Sequence, residues 1–530
     1  MASIKIPYQQ TGYFSKTICE YLDGEPALSE FYQYAPEIES FKNAITDKSK
    51  EILDRDLLSN TIASQYGGLR KSALVDEQIQ LFRKENTYCI VTAHQLNIFT
   101  GPLYVIYKTI SAIALCKRLA AAYPAYNFIP VFWLGSEDHD FTEIAHFHLF
   151  GKKYEWQADQ GGACGRMEPS TLKSIMDELR PVLGEGEHAQ ELMRIFSAAY
   201  LEQPTLAAAS RYILNELFGQ YGLVVVDGDD KVFKQQCSSI VADELFHQSA
   251  EQLVNATIEK FPHEPQAKPR NINLFYLQHH LRERIVFDAA ANKYQVLNTQ
   301  FEFSREEMEY QIIENIQAFS PNVILRPLFQ QKVLPSLAYI GGGGEIAYWL
   351  LLRSVFDHYQ IALPVLLLRD SFLLVDAIQS KKINKLGLTP EHFFKNENDL
   401  IGVYVKSHVS ENISLQNESN SVQHIMDSIA ERAARIDASL DKSVLAEKQN
   451  FIHALARLEA KLLKAEKSKM EAELNQIKTV RGKLFPMDSL QERHENFIAW
   501  YLKSGSAFFD SLLAAAMQPT DGFTILTDEN

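Results

Sequence analysis

Three short polar stretches carry residue types that could work on one ligand. His94-Gln95-Leu96-Asn97 joins an imidazole to two side-chain amides, and Thr100-Gly101-Pro102 follows it. At a helix start, where the first N–H groups lack partners, such a stretch could hold phosphate, with His94 and Asn97 as extra donors. The plainer alternative is that the histidine caps the helix or bonds a neighbouring carbonyl. Glu137-Asp138-His139-Asp140 sets four ionisable groups in a row, with Glu143, His146 and His148 close behind. If a helix runs on from there, His139, Glu143 and His146 share a face and could ligate a metal, and an acidic capping loop is the alternative. Gly341-Gly342-Gly343-Gly344-Glu345 has the composition of an anion-binding turn. Without Cβ atoms its backbone could lie against a flat adenine or ribose, and a flexible turn is the alternative. No Lys-Ser/Thr pair follows the glycines and the spacing is not G-x-G-x-x-G, so neither a P-loop nor a strict dinucleotide fingerprint is present. Asp227, Asp229 and Asp230 form a fourth polar stretch, which reads as a turn before it reads as ligands. Arg326 and Arg369 could neutralise phosphate or carboxylate.

These stretches need elements to present them. Tyr88–Ala93 reads as a buried strand, and Pro102 suits the first position of a helix. Leu103, Ile106, Tyr107, Ile110, Ile113 and Ala114 keep the helical spacing, and Phe128–Leu134 returns as a second apolar strand. Strand, helix, strand is one βαβ unit, and open α/β sheets bind ligands at the carboxyl ends of their strands. Gly222–Val226 predicts a third strand, 323–325 an extended piece, Pro335–Ile340 and Leu363–Leu368 further strands, and 346–359 a helix. From Val422 to Ile477 apolar residues recur at three and four with lysines and glutamates between, as in an exposed coiled coil. The expected organisation is a Rossmann-like core over 1–375, with a helical N-terminal collar and insertions near 150–220 and 235–320. A connecting segment follows at 376–420, polar and read as exposed over 396–420, then a coiled coil over 421–486 and a helical tail over 487–530.

Composition narrows the class. The 530 residues carry a net charge of −15, which leaves no general footprint for nucleic acid or anionic membranes. No apolar run reaches membrane-spanning length, and the five scattered cysteines suit reduced thiols in a cytoplasm.

The residues also resemble a family. His94-Gln95…Thr100-Gly101-Pro102-Leu103-Tyr104…Tyr107-Lys108, Pro130-Val131-Phe132-Trp133…Glu137-Asp138-His139-Asp140-Phe141, and Asp227 with Asp229-Asp230 are similar to the bacillithiol biosynthesis cysteine-adding enzymes. So are Ser320-Pro321-Asn322…Leu325-Arg326-Pro327, Tyr339-Ile340-Gly341-Gly342…Gly344-Glu345-Ile346-Ala347-Tyr348, Lys461–Lys467 and Leu484-Phe485-Pro486. The likeness runs in order along nearly the whole chain, with Gly343 where the family's loop is expected to carry proline.

The resemblance implies a core related to class I aminoacyl-tRNA synthetases and a coiled coil used for homodimerisation. It implies a ligase that joins L-cysteine to glucosaminyl-malate, with no metal, no nucleic acid and no membrane as partner. ATP is the expected activating donor, because an amide does not form from a free carboxylate in water unaided. His94 matches the first histidine of the synthetase H-x-G-H motif, while Leu96 and Asn97 replace its last two residues and no K-M-S-K-S stretch is present. His94 and Asn97 with the Gly341–Gly344 amides would then steady the transition state, and Asp138 or His139 would hold the cysteine amine or take a proton from the attacking amine. The expected binding set is Gln95, Thr100, Gly101, Trp133, Glu137, Asp227, Asn322, Arg326, Gly341, Gly342, Gly343, Gly344, Glu345 and Tyr348. The rival readings are a metal-dependent hydrolase using Asp138, His139, Asp140 and His146, and a coiled-coil adaptor whose core only binds.

Overall fold

The computed structural model describes residues 2–408, 414–437, 439–518 and 522–528. The chain divides into a larger unit, residues 3–373 with 491–524, and a smaller unit built on 374–490.

The larger unit is organised by a parallel sheet of β1 (Thr87–His94), β2 (Asn127–Leu134), β3 (Val224–Asp227), β4 (Ser336–Gly341) and β5 (Val365–Leu368). Their order across the sheet is β5-β4-β1-β2-β3. All five are apolar through most of their length and buried on both faces, as a parallel sheet covered by helices requires. The chain leaves β1 toward β2 and β3, then returns to place β4 on the other flank of β1. The carboxyl ends of β1 and β4 therefore frame a topological switch point. Registers align the strand ends, with His94 opposite Leu134, Leu134 opposite Asp227, and Gly341 opposite Leu368. The crossover from β1 to β2 is α1 (Tyr104–Ala122), whose inner face packs Leu115 and Leu119 against Ile90, Ile340 and Val365.

Two insertions decorate this sheet. After β2 comes a hairpin, His146–Leu149 with Lys152–Glu155, and three helices between Lys173 and Phe218. Between β3 and β4 lies a five-stranded antiparallel sheet containing Leu274–Gln278 and Leu281–Asp288.

Several expectations need correction. Residues 323–325 are not extended: the Asn322 carboxamide oxygen accepts from the N–H groups of Ile324 and Leu325, and this turn leads into the helix Arg326–Val333. The helix expected over 346–359 starts earlier, as α2 (Gly343–Trp349), and is broken by a 3-10 turn at Leu350–Leu352. Residues 487–530 are not all helix, since Phe523–Thr527 is a strand.

In the smaller unit, the connecting segment, expected over 376–420 and read as exposed over 396–420, carries the helices Ala377–Lys385 and Glu397–His408. The latter buries Leu400, Ile401, Tyr404 and Val405, because its apolar residues recur at helical spacing; residues 409–413 lie outside the described residues. The apolar stripe beyond it forms α3 (Gln416–Ile436), α4 (Leu440–Lys469) and α5 (Glu471–Leu484). Lys448 on α4 pairs with Asp427 on α3 at 2.5 Å, equally far from the intervening bend, so α3 and α4 run antiparallel.

Candidate active site

A cavity of about 730 Å³ opens at the carboxyl ends of β1, β2 and β4, where the loops after these strands meet the inserted antiparallel sheet. Its floor is built on Lys108. This lysine sits on the inner face of α1, 2 % exposed, and donates to the Ala93 carbonyl at 2.9 Å. A buried ammonium needs a counter-charge. Glu345 of α2 supplies it at 2.5 Å, and also accepts from the Tyr339 hydroxyl at 2.6 Å and the Gly342 N–H at 2.8 Å. Burial disfavours the carboxylate, but Lys108 and these donors outweigh it and hold the group at about 2. The Gly342 amide is thereby committed inside the protein, while Gly342, Gly343 and Gly344 line the cavity. None of the four glycines needs a positive φ. Close approach accounts for Gly341, where a Cβ would stand 3.0 Å from the Tyr339 ring, while a Cβ on Gly344 would meet nothing within 4 Å.

His94 closes β1 above this pair. Its Nε2 lies 3.2 Å from the Tyr104 hydroxyl, with the two rings edge to face. Burial and the neighbouring Lys108 charge lower its pKa to about 3, so the imidazole is neutral at physiological pH. It can donate or accept a hydrogen bond there, but it brings no positive charge.

The second wall is the loop after β2. Gly135 N–H donates to the His94 carbonyl at 2.8 Å, tying the first two loops together. Asp138 accepts from Gln95 Nε2 at 2.7 Å and from the His139 and Asp140 N–H groups, which against the opposing effect of burial keep it in the carboxylate form. Glu137 pairs at 2.6 Å with the buried Lys234, which also reaches Asp229 at 2.8 Å. Arg166 braces Asp229 through two nitrogens at 2.6 and 2.8 Å. The Ser136 hydroxyl donates to Asp227. Asp230 caps the helix Lys231–Gln236. The aspartates after β3 thus hold the β2 loop in shape from below.

The third wall comes from the inserted sheet. Arg282 stacks over Phe275 at 3.9 Å and donates to Ser320 Oγ, the Pro321 carbonyl and His139 Nδ1. Arg326 reaches Gln330 Oε1 and the Tyr348 hydroxyl.

The structure brings His94, Gln95, Trp133, Glu137, Asp138, Asn322, Arg326, Gly342, Gly343, Gly344, Glu345 and Tyr348 to the one cavity. It places the other residues outside the lining. Asn97 borders a separate small pocket and donates to the Glu143 carbonyl. Thr100 and Gly101 form a left-handed turn whose flanking carbonyls, Phe99 and Gly101, accept from Asn496 Nδ2 at 2.9 and 2.7 Å. Gly341 accepts from the Arg369 N–H, His139 lies behind Arg282, and Asp227 lies beneath Ser136. The shared helical face expected for His139, Glu143 and His146 is absent. The helix is the single turn Phe141–Ile144, and His146 already begins a strand that pairs with Glu155. Among the described residues no three His, Cys, Asp or Glu side chains gather to hold a metal ion.

Lys108, Tyr104, Arg282, Arg284, Lys268, Arg270 and Arg493 line the cavity and were not singled out from the sequence as site residues. Lys108 did leave a signal, a charge in the buried stripe of a helix. Tyr104 opens α1, and Lys268 and the four arginines lie outside the parallel sheet and its crossover helix, where a cation is ordinary.

Behind the site, His148 stacks on His494 at 4.0 Å, with His146 5.9 Å away. Burial and the two neighbouring rings lower the His148 pKa to about 4, and His94 is lower still. Both refuse a proton that the unfolded chain takes near pH 6.5, so folding stability falls as pH drops from 6.5 toward 4. The thermal midpoint should be several degrees lower at pH 5 than at pH 7.5, and His148→Gln should shrink that difference.

Residues 1–370 match the family model described as "Bacillithiol biosynthesis BshC, N-terminal Rossmann-like domain", and residues 372–527 match "Bacillithiol biosynthesis BshC, C-terminal coiled-coil domain". A Flavobacterium psychrophilum protein named "Putative cysteine ligase BshC" is 40% identical over 511 residues, 96% of each chain. One of the same name from Flavobacterium johnsoniae is 39% identical over 525 residues, 98% of this chain and 99% of its own. A solved structure titled as a "putative arginyl t-RNA synthetase" from Campylobacter jejuni covers 88% of this chain and 96% of its own at 11% identity, with a TM-score of 0.22 too low to carry an argument.

Proposed function

Because this chain belongs to the BshC family of bacillithiol biosynthesis, we propose that it is a cysteine ligase joining the carboxyl group of L-cysteine to the amine of glucosaminyl-malate. The observation that carries the reading is the cavity at the switch point, where His94, the Lys108–Glu345 pair and the Asp138 carboxylate face one space. ATP is the donor in this proposal. The cysteine carboxylate attacks the α-phosphorus and pyrophosphate leaves. The acceptor amine then attacks the carbonyl, AMP leaves, and the amine loses a proton. Neutral His94, which lines the same cavity as Gly343 and Gly344, would hydrogen-bond the reacting phosphate and carboxyl oxygens. Asp138, held ionised by Gln95, suits the cysteine ammonium.

The test is direct. Full-length protein given cysteine, glucosaminyl-malate and ATP should form a condensed thiol with one AMP and one pyrophosphate per product, read by mass spectrometry. ADP and phosphate in their place would overturn the adenylate route, and no cysteine-dependent product with any nucleotide would overturn the ligase.

We place the protein in the cytoplasm, where its five buried, unpaired cysteines would stay reduced; no helix among the described residues is long and apolar enough to cross a membrane. The coiled coil is proposed to dimerise. Ile425, Leu445, Phe451, Leu458 and Leu462 are 44–59 % exposed on one chain, and a second copy would cover them. Light scattering at micromolar concentration should give twice 60.3 kDa, and Phe451→Lys with Leu458→Lys should shift the protein toward monomer.

A further inference from the structure

The cavity's cations fall into two groups. Lys108, Arg282, Arg326 and Arg369 are each committed to partners within the protein: Glu345, His139 with Ser320, Gln330 with Tyr348, and Glu492. Lys268, Arg270, Arg284 and Arg493 have no side-chain hydrogen bond or ion pair among the described residues. Three of these four, Lys268, Arg270 and Arg284, come from one stretch of the insertion between β3 and β4. Arg282 and Arg284 stand two apart on the strand Leu281–Asp288 and so face the same side. The first is used to tie down the β2 loop, and the second is left pointing into the space. The opposite wall is close to balanced, because Glu345 cancels Lys108 and His94 carries no charge.

We propose that Lys268, Arg270 and Arg284 form the subsite for the dicarboxylate arm of the acceptor, and that this trio makes the malyl group a condition of recognition. The inference rests on the ligase reading and adds to it which residues read which substrate. Two adjacent carboxylates need two or three cations to leave water. On the other walls Lys108 and Arg369 are neutralised by Glu345 and Glu492, and Arg282 and Arg326 spend N–H groups on neutral protein partners. Arg284 and Arg270 can each grip a carboxylate through two parallel N–H donors, and Lys268 adds a movable point charge. Cations close to the acceptor also disfavour protonation of its glucosamine nitrogen, which must attack as the free amine.

The experiment is calorimetric titration of full-length protein with glucosaminyl-malate and with methyl glucosaminide, which lacks the malyl arm. It is run on the wild type, on Arg284→Gln, and on Lys268→Gln with Arg270→Gln. The wild type should bind the malyl compound at least about tenfold more tightly than the methyl glycoside. Both variants should lose most of that preference while binding ATP and cysteine as before, with thermal midpoints within a few degrees of wild type. Unchanged preference in the variants, or no preference in the wild type, overturns the subsite. Loss of ATP affinity with acceptor affinity intact also overturns it, since the trio would then be reading phosphates. Because the readout is binding, the two readings fail separately. A wild type that prefers the malyl compound but never forms product sinks the ligase and spares the subsite. Product formation by variants with undiminished malyl preference sinks the subsite alone.

Discussion

Replacing His94 with alanine is expected to lower cysteine-dependent product formation by about two to three orders of magnitude, the usual loss when one preorganised donor is removed from a reacting oxygen. The substitution should leave the thermal midpoint within a few degrees, because the side chain faces the cavity, where it meets the Tyr104 hydroxyl at 3.2 Å. Its pKa near 3 makes the role specific. A neutral imidazole works through its N–H, so His94→Gln, which keeps a donor, should retain more activity than His94→Ala. A histidine acting as a cation would instead be rescued best by lysine or arginine. The initial rate should also show no acid limb near pH 6.5 that disappears with His94. Full activity in the alanine variant would remove the residue from the chemistry.

The second large effect concerns Arg369 and Glu492. Arg369 leaves the end of β5 and meets Glu492, 123 residues later, through contacts of 2.5 and 2.9 Å, with both side chains at most 4 % exposed. Arg369 also donates to the Asp370 carbonyl and Ser371 Oγ. Removing one partner strands a charge in a dry environment. Glu492→Ala should therefore destabilise the larger unit by about 3–5 kcal/mol, read as a drop in its unfolding midpoint. Changing both together, Arg369→Met with Glu492→Leu, should recover much of that loss, since an apolar pair of similar volume avoids the desolvation. If Glu492→Ala unfolds at the wild-type midpoint, the pair contributes nothing to the fold.

The sequence made the framework readable where local chemistry decides the structure. The strands at 88–93 and 128–134 are long apolar runs between polar breaks, and the helix after Pro102 keeps its spacing. Local reading fails where one residue redirects the chain. Asn322 folds back onto the next two N–H groups and turns an apolar Val-Ile-Leu into a turn. A helix running on from His139 to His146 is the condition of the metal reading, but the hairpin with Lys152–Glu155 claims the chain after one turn. The polar loops after β1, β2 and β4 were readable as parts of one candidate site because strand ends have a known use, and they do line one cavity. Lys234, Arg284 and Glu492 were not, since a charged residue is informative only once its burial or its distant neighbour is known.

Residues 491–496 have a bearing on how this protein is made. Glu492 neutralises Arg369, the Glu495 carbonyl receives the Leu103 N–H, and Asn496 spans both sides of the Thr100–Gly101 turn. The ribosome therefore finishes the Rossmann-like region long before it delivers the clasp that secures its first loop. A nascent chain halted before position 490 would hold every residue of β1 to β5 and yet lack the part that sets them.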